Sequence, residues 1–153
     1  MKLDGRIPLA AVKDATRKES IKQWIDAAAS ELEVDREVAD SLRGAVFEVR
    51  QGYKSADSKR QNADIGNAAN AYANAYLPVN MLLSAQVSET VAARYRRAQW
   101  LVLRGSTEGS SLESTYAFCS GVLGYDLAGL FRRNRNKLKN AVEEVIRELL
   151  KEA

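Results

Sequence analysis

The sequence predicts an α/β protein: a small, mainly parallel sheet of about three to five strands flanked by helices, with helical segments at both ends. Three observations predict it. Short apolar stretches with strand character at 45–50, 77–84 and 100–103 are separated by segments whose apolar residues recur at helical spacing. Strands alternating with helices need crossover connections, and crossovers set neighbouring strands parallel. The chain has 153 residues, of which 46% are hydrophobic, enough for one domain around one core. The expected organisation is a single domain over 1–153, with a helical N-terminal segment at 1–34, an α/β core at 40–104 and a helical C-terminal segment at 112–153.

The first helix is expected near 17–33. Thr16-Arg17-Lys18-Glu19 fits a capping box, and Ile21, Trp24, Ile25, Ala28 and Leu32 fall on one face. Residues 35–43 fit either a short helix capped by Asp35 or a strand around 38–42. Gly44 favours the helix, because glycine commonly follows a helix end. In the strand at 45–50, Ala45, Phe47 and Val49 share one face, and Val46, Glu48 and Arg50 share the other. A long helix then opens at Ser55 or Asp57 and runs to about Tyr76, with Ile65, Ala68, Ala69 and Tyr72 on its apolar side. A strand at 77–84, a helix from Ser88 to Ala98 and a strand at 100–103 follow. Beyond a Gly/Ser loop at 105–111, a helix over 112–123 stops at Gly124, and Asp126 caps a short one. Leu138, Val142, Val145, Ile146 and Leu149 mark a last amphipathic helix.

Composition removes several chemistries. The chain has no histidine, which excludes Ser-His-Asp and Cys-His catalysis. Cys119 is the one cysteine, so an internal disulfide and multi-thiolate metal sites are excluded. A bound metal must therefore take oxygen ligands, which suits Mg²⁺, Ca²⁺ or Mn²⁺. Cys119 itself reads as packing beside Phe118, and Trp24 and Trp100 read as core. With 28% charged residues and no apolar run near the ~20 residues of a bilayer span, a membrane protein is not expected. Met1-Lys2-Leu3-Asp4 does not open a signal peptide, and a cytoplasmic protein is the expectation. A net charge of +3 and a pI near 9.0 hint at an anionic partner.

The informative stretch is Val46-Phe47-Glu48-Val49-Arg50-Gln51-Gly52-Tyr53-Lys54-Ser55. A carboxylate and a cation two residues apart on a strand share a face. A metal-dependent phosphodiesterase needs such a pair: the carboxylate for Mg²⁺, the cation for the attacking water or the phosphate charge. Asp40 is the first candidate for a second carboxylate, with Glu37 and Asp35 behind it. Taken alone, Glu48 and Arg50 fit better a solvated strand face or an ion pair with no chemistry, and it is the context that follows which shifts the reading. Downstream, Lys54, Lys59 and Arg60 against Asp57 leave a local +2 at a helix start, where backbone amides favour phosphate. Ser55, Ser58, Gln61 and Asn62 add hydrogen-bonding groups that can hold a nucleic-acid backbone or base edge, and a solvated helix cap explains the same residues. Asn67, Asn70 and Asn74 recur near one face of that helix and read best as a polar solvent face. Arg94, Arg96 and Arg97, with Arg104 beyond Leu103, form a second basic cluster, and 94–97 reads as a solvated helix face. Arg132, Arg133, Arg135, Lys137 and Lys139, with no acid among them, point to nucleic acid.

The run from Phe47 through Gln51-Gly52-Tyr53-Lys54-Ser55 and Asp57-Ser58-Lys59-Arg60-Gln61-Asn62 to Ile65 resembles type II restriction endonucleases of the ApaLI kind. Softer likeness continues through Tyr76-Leu77-Pro78-Val79, Ala92-Ala93-Arg94-Tyr95 and Gly124-Tyr125-Asp126-Leu127, covering roughly 40–150. The order strand, helix, strand, helix also resembles the PD-(D/E)xK nuclease core. The resemblance implies a restriction-endonuclease-like fold and a Mg²⁺-dependent endonuclease acting on double-stranded DNA as a homodimer. A non-catalytic DNA-binding module, or one subunit of a split nuclease, is the alternative. Glu48 matches the family's acidic position, and Arg50 stands where its lysine is expected. Asp40 is the nearest match to its first Asp, and Lys54 is placed to stand in for the lysine. The resemblance thus makes Glu48 and Asp40 metal ligands and gives Arg50 or Lys54 the water or phosphate. Lys59, Arg60, Gln61, Asn62, Arg132, Arg133 and Arg135 would contact DNA.

Overall fold

A computed structural model of the chain describes residues 4–52 and 58–151; the side chains of 58–65 fall outside that description. Four strands form one sheet in the order β1 (Gly5–Pro8), β2 (Gly44–Arg50), β3 (Leu77–Leu82), β4 (Leu101–Leu103). A turn of 3-10 helix (Leu9–Ala11), then α1 (Ala15–Glu31) and α2 (Arg36–Ser41), lead from β1 to β2. The helices α3 (Ser58–Ala73) and α4 (Glu89–Arg97) make the crossovers between β2, β3 and β4. After β4 come α5 (Thr115–Ala117), which continues into a π-helical turn (Phe118–Val122), then α6 (Leu127–Arg133) and α7 (Arg135–Lys151).

The expected α/β architecture is present, with one correction: the sheet is mixed. β2, β3 and β4 are mutually parallel, but β1 runs antiparallel to β2, pairing Gly5 with Phe47 and Pro8 with Gly44. The N-terminal segment is therefore not purely helical. Gly5-Arg6-Ile7-Pro8 is too short to show a period of two, and its pairing is set by β2 rather than by local propensity.

Side-chain alternation assigns the two faces. Ala45, Phe47, Leu77, Val79, Leu101 and Leu103 point to one side. There they pack against Ile21, Trp24, Ile25 and Ala28 of α1 and against Phe118, Cys119 and Val122. The opposite face carries Leu82, Trp100 and Val102 against Ala68 of α3 and Val91 and Tyr95 of α4, with Val46 beside Ala71 and Tyr76. The result is a sheet between two helical layers. Phe118 is the hub of the first side: fully buried, with ring centroids 4.4 Å from Trp24 and 5.7 Å from Phe47. Cys119 is buried beside it, and burial raises its thiol pKa, as expected of a packing residue and not of a nucleophile.

Local boundaries follow capping chemistry. Asp35 caps α2 by accepting from the amides of Glu37 and Val38, as expected. The cap of α1 is Asp14, whose carboxylate accepts from Arg17 N at 2.6 Å, so the Thr16 capping box is a correction. An aspartate two residues earlier offers a charged acceptor to an orphan amide of the first turn, Arg17 N. Asp126 caps α6 through Gly129 N. The helix expected over 112–123 is shortened: Ser110 N and Oγ donate to the Glu113 carboxylate in a turn, Ser114 caps α5, and the segment ends at Gly124 with φ +68°. The expected helix starts at Ser55 and Asp57 lie outside the described residues. Among those residues, no helix is long and apolar enough to cross a membrane.

Candidate functional site

Glu48 and Arg50 lie on the face of β2 that turns toward α3 and α4, near the carboxyl ends of the parallel strands. Their side chains meet: Arg50 Nη2 is 2.7 Å from Glu48 Oε1. Both are largely withdrawn from solvent, the Glu48 side chain 11% exposed and the Arg50 side chain 21%. Directly beside Glu48, in register on β3, sits Asn80, fully buried. Adjacent strands are about 4.8 Å apart, so the Glu48 carboxylate and the Asn80 amide share one layer. Asn80 escapes sequence reasoning because Leu77-Pro78-Val79-Asn80-Met81-Leu82 reads as a strand buried on both faces. One amide within it carries no period-two signal.

The structure does not bring Asp40 to this pair. Asp40 belongs to α2, before the amino end of β2, is exposed, and lies 3.9 Å from Arg36 one helical turn away. Glu48 stands about 13 Å along β2 from Gly44, at a rise of about 3.3 Å per residue. Among the described residues no three Asp, Glu or Cys side chains gather to hold a metal ion. Lys54 lies outside the described residues, as do the side chains of Lys59, Arg60, Gln61 and Asn62. Arg132, Arg133 and Arg135 are exposed at the junction of α6 and α7, far along the chain from Glu48; Arg132 and Arg133 lie 3.7 and 4.0 Å from Asp126.

The loops leaving the three parallel strands are locked to one another. Leu83 N donates to Arg50 O at 2.9 Å, and Gly105 N donates to Ser84 O at 3.0 Å. Thr115 Oγ1, buried, donates to Leu82 O at 2.7 Å, holding α5 under the same edge. The crossing is close enough to require glycine. A Cβ on Gly105 would lie 2.1 Å from Leu83 O, and one on Gly52 would lie 2.9 Å from Ser84 Cβ. A glycine two residues beyond a strand end was the available sequence signal for this crossing.

A second charged pair borders the same edge. Arg104 holds Glu89 with two contacts, Nη1 to Oε1 at 2.7 Å and Nη2 to Oε2 at 3.0 Å. This hydrogen bond and the guanidinium charge lower the Glu89 pKa and raise that of Arg104. Glu113 is lowered too, chiefly by the Ser110 amide and hydroxyl. Arg96, Arg104, Ser106, Glu108 and Glu113 line a depression of about 370 Å³ beside Val102. Arg104 is therefore fixed in place at this edge by Glu89.

The Glu89 shift has a measurable consequence. A carboxylate lowered in the folded state contributes stability above its ordinary pKa, and that contribution disappears as pH falls through the folded value. In a ¹³C-detected titration, the Glu89 carboxylate should have a midpoint below the usual glutamate range. Arg104→Gln should return it there; an unchanged midpoint would remove Arg104 as the cause.

No family model, curated protein or solved structure matches the chain.

Proposed function

We propose that the chain is a Mg²⁺-dependent endonuclease of double-stranded DNA, resembling type II restriction enzymes, with its centre at Glu48 and Arg50. The observation that carries this reading is the withdrawn ion pair at the carboxyl end of the parallel strands, beside a buried Asn80. Open α/β sheets bind ligands at that end. A pair of buried charges is an expensive way to fill space, since apolar residues of like volume serve stability equally well or better.

The donor set fits a hard cation. Glu48 would supply a carboxylate oxygen and Asn80 an amide oxygen. Mg²⁺ commonly takes only one or two protein carboxylates and completes its shell with phosphate oxygens and water. When bound, the ion would supply charge neutralisation at the phosphate and a more acidic water. Arg50 directs the position of the Glu48 carboxylate through the 2.7 Å contact, and its guanidinium brings a fixed positive charge to the place where a phosphodiester would lie. Arg132, Arg133 and Arg135, with Lys137 and Lys139, add an exposed cationic surface for the DNA backbone.

A second reading, a DNA-binding module without catalysis, is favoured by the place of Asp40 at the other end of β2. Supercoiled plasmid of mixed sequence, incubated with the full chain, separates the two. The proposal expects discrete fragments in Mg²⁺, none in EDTA and none with Glu48→Gln, which should keep salt-sensitive DNA binding. Binding without fragments in Mg²⁺ would favour the module, and no binding would remove both readings.

A further inference from the structure

The helix α7 carries an apolar stripe that the rest of the described chain does not cover. Leu138, Val142, Val145, Ile146, Leu149 and Leu150 are between 46% and 72% exposed. A contiguous apolar surface of this kind marks an interaction site in a folded domain. We propose that this stripe is the contact between two copies of the chain, with the two α7 helices packed antiparallel.

The spacing fits helix pairing. Leu138, Val142, Val145 and Leu149 follow one another at intervals of four, three and four, the seam of a two-helix coiled coil. A two-fold pair is self-complementary, so this single stripe supplies both sides of the contact. Charge selects the second copy and sets its direction. The amino-terminal half of α7 carries Arg135, Lys137 and Lys139 with no acid, and its carboxyl-terminal half carries Glu143, Glu144 and Glu148 against Arg147 and Lys151, a net charge of −1. A parallel pair would lay the basic half on its own copy. An antiparallel pair centred between Val142 and Val145 lays each basic half on the half that holds all of the helix's acids. Lys137 and Glu148 lie on the same flank of the seam, so that pair also brings Lys137 of one copy to within one turn of Glu148 of the other, twice by symmetry. The opposed helix dipoles favour the same direction.

The inference rests on α7 alone and is independent of the hydrolytic reading. Sedimentation equilibrium of the full chain should give twice 16.9 kDa at micromolar concentration. Val145→Glu, at a position 58% exposed, should leave the chain folded, with its far-ultraviolet spectrum unchanged. It should weaken association by about a hundredfold or more, because it places two like charges in the seam. Lys137→Glu should weaken it less, and adding Glu148→Lys should restore it. For direction, Leu138→Cys and Leu149→Cys chains mixed under oxidation should crosslink to each other and not to themselves. A chain that stays monomeric to about 100 μM, or a dimer indifferent to Val145→Glu, would overturn the proposal. Self-crosslinking of the Leu138→Cys chain would overturn the antiparallel arrangement.

Discussion

Glu48→Ala should lower the free energy of unfolding by roughly 3–5 kcal/mol, the cost of leaving a buried charge without its partner. Arg50 stays in place at 21% exposure, with its 2.7 Å contact to a carboxylate gone. Replacing both members, Glu48→Leu with Arg50→Met, should recover most of that loss, since volume is kept and no charge remains to be desolvated. Urea denaturation of the three chains measures the stability side. The plasmid assay on the same proteins measures the other: the double variant should be folded and unable to cleave. This combination separates a pair kept for chemistry from one kept for packing. A double variant as unstable as Glu48→Ala would show that the site needs the ion pair for its own structure. A double variant that still cut DNA would remove Glu48 from the chemistry.

Phe118→Ala should be the most damaging single truncation on the other face of the sheet, at roughly 3–5 kcal/mol. The ring is fully buried and stands between Trp24 of α1 and Phe47 of β2, so its loss opens a cavity lined by two helical segments and a strand. These walls are tied independently. Trp24 Nε1 donates to Ser111 O at 2.8 Å, and an Arg17 guanidinium N–H donates to Val122 O at 2.9 Å, which limits collapse into the space. At two to four degrees per kcal/mol for a chain of this size, Tm should fall by about 6–20 °C. Phe118→Leu, which keeps most of the volume, should cost markedly less. Scanning calorimetry reads both, and equal shifts for the two variants would show that ring contact, not volume, dominates.

Much of the scaffold was legible because burial imposes a period. Ala45, Phe47 and Val49 against Val46, Glu48 and Arg50 announced β2 and its two faces, and the structure keeps that division with the charged pair together. Asp35 and Asp126 announced their helices because few other side chains can satisfy orphan amides. What was not legible depends on partners distant in sequence. β1 exists because β2 offers it an edge. Thr115 is buried because two strand ends meet above it. The apolar side of α7 had the right spacing and was recognised as amphipathic, but spacing cannot say whether a stripe faces its own core or something else. In the candidate site, Glu48 and Arg50 could be named in advance from a shared strand face. Asn80 could not, and Asp40 was drawn in by proximity along the chain rather than in space.

The ends of the sheet bear on how this chain can meet its own kind. Each outer strand is brief, four residues in β1 and three in β4. β1 also finishes in Pro8, which has no amide hydrogen to offer a neighbouring backbone. Rows of unmet peptide groups on exposed strands are the usual template for open-ended stacking into fibrils, and truncated, proline-ended borders give such growth almost nothing to extend. Assembly by strand addition is therefore discouraged on both flanks of the molecule, and any contact between copies is left to surfaces that close on themselves.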